Sequence, residues 1–205
     1  MTEKDTYRTI KNPISEVVFK DKSSKFLGYA FPISSEDEAK QYLEIVKKEH
    51  FSARHWCYAW QLGKDKKQYR ANDDGEPNGT AGLPIYGQIL SFDFTNVLVI
   101  VVRYFGGIKL GVGGLINAYK TTAQLTLQEA IVEERTINQI FEIKFDYKNM
   151  NKVMRIIKER NLSVISQKME LNCYILIEVR KAEVSRVLET FNQMYEVSII
   201  EKENL

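Results

Sequence analysis

Three carboxylates fall within four residues at Asp73-Asp74-Gly75-Glu76, the densest acid–base feature of the chain. Paired carboxylates can shuttle protons or hold Mg²⁺. Asp-Gly is equally ordinary turn chemistry, and spacing alone does not decide between the two. His55 and Cys57 alternate along one face of an extended run, so an imidazole-activated thiolate is conceivable. At i, i+2 on a strand the two side chains are about 6–7 Å apart, too far for a direct hydrogen bond. Zinc is disfavoured, because the chain holds only two histidines and two cysteines. Neither metal nor cofactor is expected.

A second constellation surrounds Arg103 and Lys109. Val97–Val102 is an almost unbroken β-branched run and predicts a strand covered on both faces. Five of the eleven glycines then crowd between Gly106 and Gly114. Ile116, Tyr119, Ala123, Leu127 and Ala130 follow at the spacing of a buried helical stripe. Strand, glycine-rich turn and helix is an arrangement in which backbone N–H groups can gather around an anion. The turn is neither a Walker loop nor a G-x-G-x-x-G fingerprint, and glycines supplying φ > 0 for a tight crossover would explain it as well. Arg103 shares a face with Val99 and Val101. A charge there needs a partner, and the carboxylate loop is the obvious supplier.

The elements that must position these groups read in order. Val17–Phe19 and Phe26–Phe31 predict strands joined by a turn at Asp21–Ser24. Ser35 and Glu38 suggest a capping box for a helix over 36–48. Arg54–Leu62 alternates as a strand, with Trp56, Tyr58 and Trp60 on one face. Such a stripe is ordinarily core, or else a base-stacking platform. Gly63–Gly82 has no apolar period and predicts a long functional or mobile loop. Lys64, Lys66, Lys67 and Arg70 lie in it as a basic patch or a solvated face. Pro84 suits the first turn of a short helix carrying Ile85, Ile89 and Leu90.

All glycines and all four prolines lie at or before Gly114. The chain is therefore expected to divide near Arg135–Asn138 into a loop-rich domain, 1–135, and a regular one, 136–205. The second part reads strand (140–145), helix (Met150, Val153, Met154, Ile157), strands (162–171 and 173–179), helix (Val184, Val187, Leu188, Phe191) and strand (197–200). That βαββαβ order is the split arrangement of ferredoxin-like domains. Formal net charge is +2. To Arg135 the count is 18 basic minus 17 acidic, and beyond it 11 minus 10, so neither part binds nucleic acid by charge alone. MTEKDTYRTIK has no apolar core, so no leader peptide is expected, and no apolar run approaches a membrane span. Cys57 and Cys173, far apart, read as free thiols of a cytoplasmic protein.

Ser24-Lys25-Phe26, the run Ala53–Ala59, the run Asp73–Gly82 and the run Arg103–Gly111 together resemble the IMPACT/YigZ family. The C-terminal βαββαβ unit resembles the second domain of its bacterial two-domain members. The resemblance implies an α+β protein whose first domain is a ribosomal-protein/GHMP-like βαβ domain, of the ribosomal protein S-five domain-two kind. It implies a ferredoxin-like second domain similar to one in elongation factor G. Eukaryotic relatives act in translational control through a ribosome-associated partner. The 205 residues leave no room for the extra N-terminal domain those relatives carry, so that mechanism is not expected to transfer. Leu83 and Asn117 stand where relatives often have arginine, and both departures weaken an anion site.

The function expected is a translation-associated regulatory or binding factor, with RNA, the ribosome or a protein of translation as partner. The rival is an enzyme acting on a small phosphorylated or peptide-like ligand in a cleft at the glycine-rich turn. The candidate binding surface is His55, Asp73, Asp74, Glu76, Thr80, Arg103, Tyr104, Gly106, Gly107, Lys109, Gly111, Gly113 and Gly114, with no catalytic residue assigned.

Overall fold

A computed structural model describes residues 5–202 of the protein. The first four residues of the stretch weighed as a leader lie outside them. In chain order the elements are β1 (Thr6–Ile10), β2 (Ile14–Asp21), β3 (Ser24–Pro32), α1 (Glu36–Glu49), β4 (His55–Leu62), β5 (Gln68–Asn72), α2 (Gly82–Ser91), β6 (Val97–Tyr104) and α3 (Gly111–Gln128). They continue with β7 (Val132–Thr136), β8 (Asn138–Asp146), α4 (Met150–Glu159), β9 (Ser163–Lys168), β10 (Asn172–Arg180), α5 (Val184–Asn192) and β11 (Val197–Lys202). The protein is mixed α/β with three sheets. It forms two compact units, one spanning Tyr7–Arg135, the other running from Thr136 onward and including Asp5 and Thr6.

In the first unit the sheet order is β2-β3-β6-β4-β5, every pair antiparallel. The β-branched run sits in the middle strand, and Val97 to Arg103 are all buried. Alternation sends Val97, Val99 and Val101 into a core shared with α2 and α3. Leu98, Ile100 and Val102 enter the opposite core, with Ala39 and Val46 of α1. The β2–β3 hairpin turns on Lys22 and Ser23, both at positive φ (42° and 69°), as a two-residue primed turn requires. Ser35 Oγ accepts from the Glu38 amide at 3.2 Å, but the Glu38 carboxylate reaches back to Ser34 rather than to Ser35.

The second unit orders its strands β11-β8-β10-β9, again all antiparallel. With α4 between β8 and β9 and α5 between β10 and β11, this is a split βαβ connection repeated in antiparallel form. Phe141, Ile143, Cys173, Ile175, Ile177, Val153 and Phe191 form its core.

Several expectations need correcting. The segment 63–82 is not structureless: β5 pairs along the edge of β4, from Leu62↔Gln68 to Tyr58↔Asn72. Three of its five residues are exposed and only Ala71 packs against the core, so an edge strand with one neighbour leaves no apolar period. The short strands β1 and β7, paired with each other, carry no such signal either. Of the α3 stripe, Tyr119, Ala123 and Leu127 are buried, joined by Leu115, Ala118, Thr122 and Thr126, whereas Ile116 is exposed and Ala130 lies beyond the end of the helix. Leu90 and Met154 also face outward. Trp60 is buried, and Trp56 and Tyr58 pack against the same core. The aromatic stripe is therefore core and not a stacking platform.

Candidate functional site

Antiparallel pairing brings three strand ends together. Arg103 stands opposite Phe26 of β3 and opposite His55 of β4. The arginine is 6% exposed, and a charge so placed must be answered locally. Glu76 answers it: Oε1 lies 2.5 Å from Arg103 Nη1 and also accepts from Tyr119 Oη at 2.8 Å. Burial first, then the neighbouring Cys57, pushes the Tyr119 phenol far up, so it stays a donor. Arg103 Cζ also lies 5.6 Å from the Phe26 ring centroid and 5.4 Å from that of Phe105. Its Nε is buried without a hydrogen-bond partner among the described residues.

The other two acids are held by backbone amides, those of Asp73 in its own loop and that of Asp74 in strand β4. Asp73 Oδ1 accepts from the amides of Ala81 (2.9 Å) and Gly82 (2.8 Å), and Oδ2 from that of Gly79 (2.8 Å). Helix α2 has no side-chain cap of its own, so Asp73 supplies one from nine residues upstream. Asp74 Oδ2 accepts from the Trp56 amide at 2.7 Å. The loop reverses at Asp74 and Gly75, both at positive φ (43° and 84°), and this reversal turns Glu76 inward. Both oxygens of Asp73 and one of Asp74 are thus held by backbone amides.

A cleft of about 430 Å³ opens over Arg103 and Glu76, with Arg54, His55, Lys109 and Gly111 among its lining residues. Of the charged side chains lining it, three are basic and one is acidic. Glu76 neutralises Arg103, so Arg54 and Lys109, both exposed, leave the cleft net cationic. His55 Nδ1 lies 2.9 Å from the Asp74 carbonyl. A carbonyl only accepts, so Nδ1 carries the hydrogen and Nε2 remains for a ligand.

The sequence-derived candidates divide accordingly. His55, Glu76, Arg103, Lys109 and Gly111 line the cleft. Thr80 is buried and donates to the Pro77 carbonyl at 2.6 Å. Tyr104 is misplaced: the strand pleat turns it to the opposite face, where its hydroxyl meets His50 Nδ1 at 2.9 Å. Gly106 is required by close approach, since a Cβ there would lie 1.9 Å from the Ser23 carbonyl oxygen. Gly107 and Gly111 supply φ of 90° and 74°. Gly113 has no such φ and nothing within 4 Å of an added Cβ, so neither strain nor space demands glycine there; Gly114 has Leu110 Cβ at 3.1 Å. Cys57 is no nucleophile: burial pushes its thiol far up, and Sγ contacts the Asp73 carbonyl at 3.0 Å. Arg54, Phe105 and Tyr119 were missed as site residues, although the first two lie inside the runs Ala53–Ala59 and Arg103–Gly111 that carry the family resemblance.

Among the described residues the one grouping with metal-ligand geometry is Glu16, Glu49 and His50. It lies on the far face, and His50 gives both ring nitrogens to Tyr29 and Tyr104. No helix among the described residues is long and apolar enough to cross a membrane.

Fold and site together define a two-unit α/β protein with a cationic cleft built on a buried Arg–Glu pair. A family model described as the Impact N-terminal domain matches residues 22–127, the segment that contains every residue of this cleft. YvyE of Bacillus subtilis, an IMPACT family member, is 33% identical over 174 residues, 83% of this chain and 80% of that relative. YigZ of Escherichia coli is 30% identical over 184 residues, 86% of this chain and 89% of the relative. A solved structure described as that of a hypothetical protein superposes with a TM-score of 0.74 at 26% identity, covering 99% of this chain and all of the other. The chain belongs to the IMPACT family.

Proposed function

We propose that this protein is a cytoplasmic, translation-associated regulatory or binding factor that contacts RNA or the ribosome through the cleft over Arg103. The observation that carries the reading is the cleft's charge. Arg54 and Lys109 stand exposed at a concave site whose only acid is already spent on Arg103. The chain as a whole is nearly neutral, so its net charge alone does not draw it to phosphate, and the reading rests on the local charge of the cleft. The N-terminus of α3 adds a field of the same sign. We assign the first unit to the ribosomal-protein/GHMP-like folds and the second to the ferredoxin-like folds, consistent with family membership.

Ribosome co-sedimentation at two salt concentrations tests the function. Association should weaken as salt rises, and Lys109→Ala should flatten the slope of log affinity against log salt by about 1 without altering thermal stability. An unchanged slope would remove the cleft from the interface. The rival reading, an enzyme acting on a small phosphorylated ligand, rests on the available His55 Nε2. It predicts instead that a nucleotide or sugar phosphate raises the melting temperature without any ribosome association.

We also propose that the two units fold independently. Residues 1–135 and 136–205 expressed separately should each be soluble with native-like spectra. The second fragment loses the partly exposed Asp5–Arg180 pair (2.5 Å) and the bond from the Ile137 amide to the Asp5 carbonyl (2.7 Å); an exposed ion pair contributes about 0–1 kcal/mol. An unfolded C-terminal fragment would reject the boundary.

A further inference from the structure

The exposed aromatic at the cleft is Phe105. It lines the opening and keeps 45% of its surface exposed. The ring is not loose, because it rests against Arg103, which Glu76 fixes from below. Val112, which lines the same cleft, is 60% exposed. A flat apolar platform thus stands next to two exposed cations, Arg54 and Lys109, in a hollow of about 430 Å³. That volume suits a ligand the size of a small molecule and not the wall of a double helix. A flat π-face with an anion beside it is the chemistry of a nucleotide. In a duplex the base faces are covered by their neighbours, so only an unpaired nucleotide can present one. An acidic peptide would satisfy the cations but leave the platform unused.

We propose that the cleft takes one unpaired nucleotide of single-stranded RNA, with its base stacked on Phe105 and its phosphates held by Lys109 and Arg54. This rests on the reading that the cleft contacts RNA, and it names which RNA and how.

Fluorescence anisotropy of the full chain with labelled oligouridylate, oligoadenylate and an RNA duplex tests it. Both single strands should bind more tightly than the duplex, with little preference between them, because every base has a π-face. Phe105→Ala should weaken single-strand binding about 5- to 150-fold, the range of one lost stacking contact. Phe105→Trp should retain binding, which excludes an indirect loss through packing. Equal affinity for duplex and single strand, an unchanged Phe105→Ala, or a Phe105→Trp as weak as Phe105→Ala would each overturn the proposal. So would binding of polyglutamate in place of both oligonucleotides. Ribosome co-sedimentation separates the two levels: salt-sensitive association that persists in Phe105→Ala, without oligonucleotide binding by the wild type, rejects the stacked nucleotide alone. Absence of salt-sensitive association in the wild type rejects the ribosome reading itself.

Discussion

Glu76→Ala should lower the unfolding free energy by about 3–5 kcal/mol, the range for breaking a buried ion pair from one side. The Glu76 and Arg103 side chains are 4% and 7% exposed. An arginine cannot escape by losing its proton, so removing the carboxylate strands a full charge. Its remaining polar contact is Ser24 Oγ, at the 3.5 Å limit of a hydrogen bond. Tyr119 loses its acceptor in the same substitution. Glu76→Gln should cost less, because an amide oxygen still accepts from Tyr119. The double variant Glu76→Gln/Arg103→Met should recover much of the loss, since a buried pair replaced by neutral groups of similar volume is often near neutral. Urea denaturation of wild type, Glu76→Gln, Arg103→Met and the double variant completes the cycle, with Glu76→Ala measured beside it. A Glu76→Ala loss below about 1 kcal/mol, the value typical of exposed pairs, would mean that the pair is not buried in solution.

This pair also shows how far the residues speak for themselves. That Arg103 needs a partner is legible, because strand alternation puts a cation on the face of Val99 and Val101. That the partner comes from the acid-rich loop is legible by elimination. Which acid it would be is not: Asp73, Asp74 and Glu76 look alike in composition, and only the positive φ of Asp74 and Gly75 decides which one turns inward. The middle strand, the glycine turn and the start of α3 were legible from β-branched and glycine density. Strand β5 was not, because an exposed edge needs no apolar alternation, and its Tyr69 stacks on Tyr86 at 4.4 Å from outside the strand ladder. Tyr104 was drawn into the site by adjacency along the chain, although neighbours on a strand face opposite ways. Phe105 was passed over for the opposite reason. The Trp56–Trp60 stripe was the conspicuous aromatic feature, and periodicity cannot tell which aromatic residues a helix such as α1 will cover.

Asp73→Ala is expected to cost about 3 kcal/mol or more, because hydrogen bonds to a charged group contribute about 1.5–3 kcal/mol each and three amides lose theirs together. The carboxylate spans Gly79, Ala81 and Gly82, which closes the loop and starts α2 in one step. Glu76 lies inside that closure, and its own amide bonds the Asp73 carbonyl at 2.9 Å. Slackening the loop should therefore also loosen the hold on Arg103. Asp73→Asn should fall between wild type and alanine: one amide oxygen can serve Ala81 and Gly82, but the NH₂ group then faces the Gly79 N–H, donor against donor. Hydrogen exchange should locate the effect, with the amides of Gly79, Ala81 and Gly82 exchanging faster in both variants while those of β6 follow global stability. A carboxylate kept for proton transfer or a metal would behave otherwise, since its removal would leave stability and these three amides unchanged. That outcome would return Asp73 to chemistry and reopen the enzyme reading of the cleft.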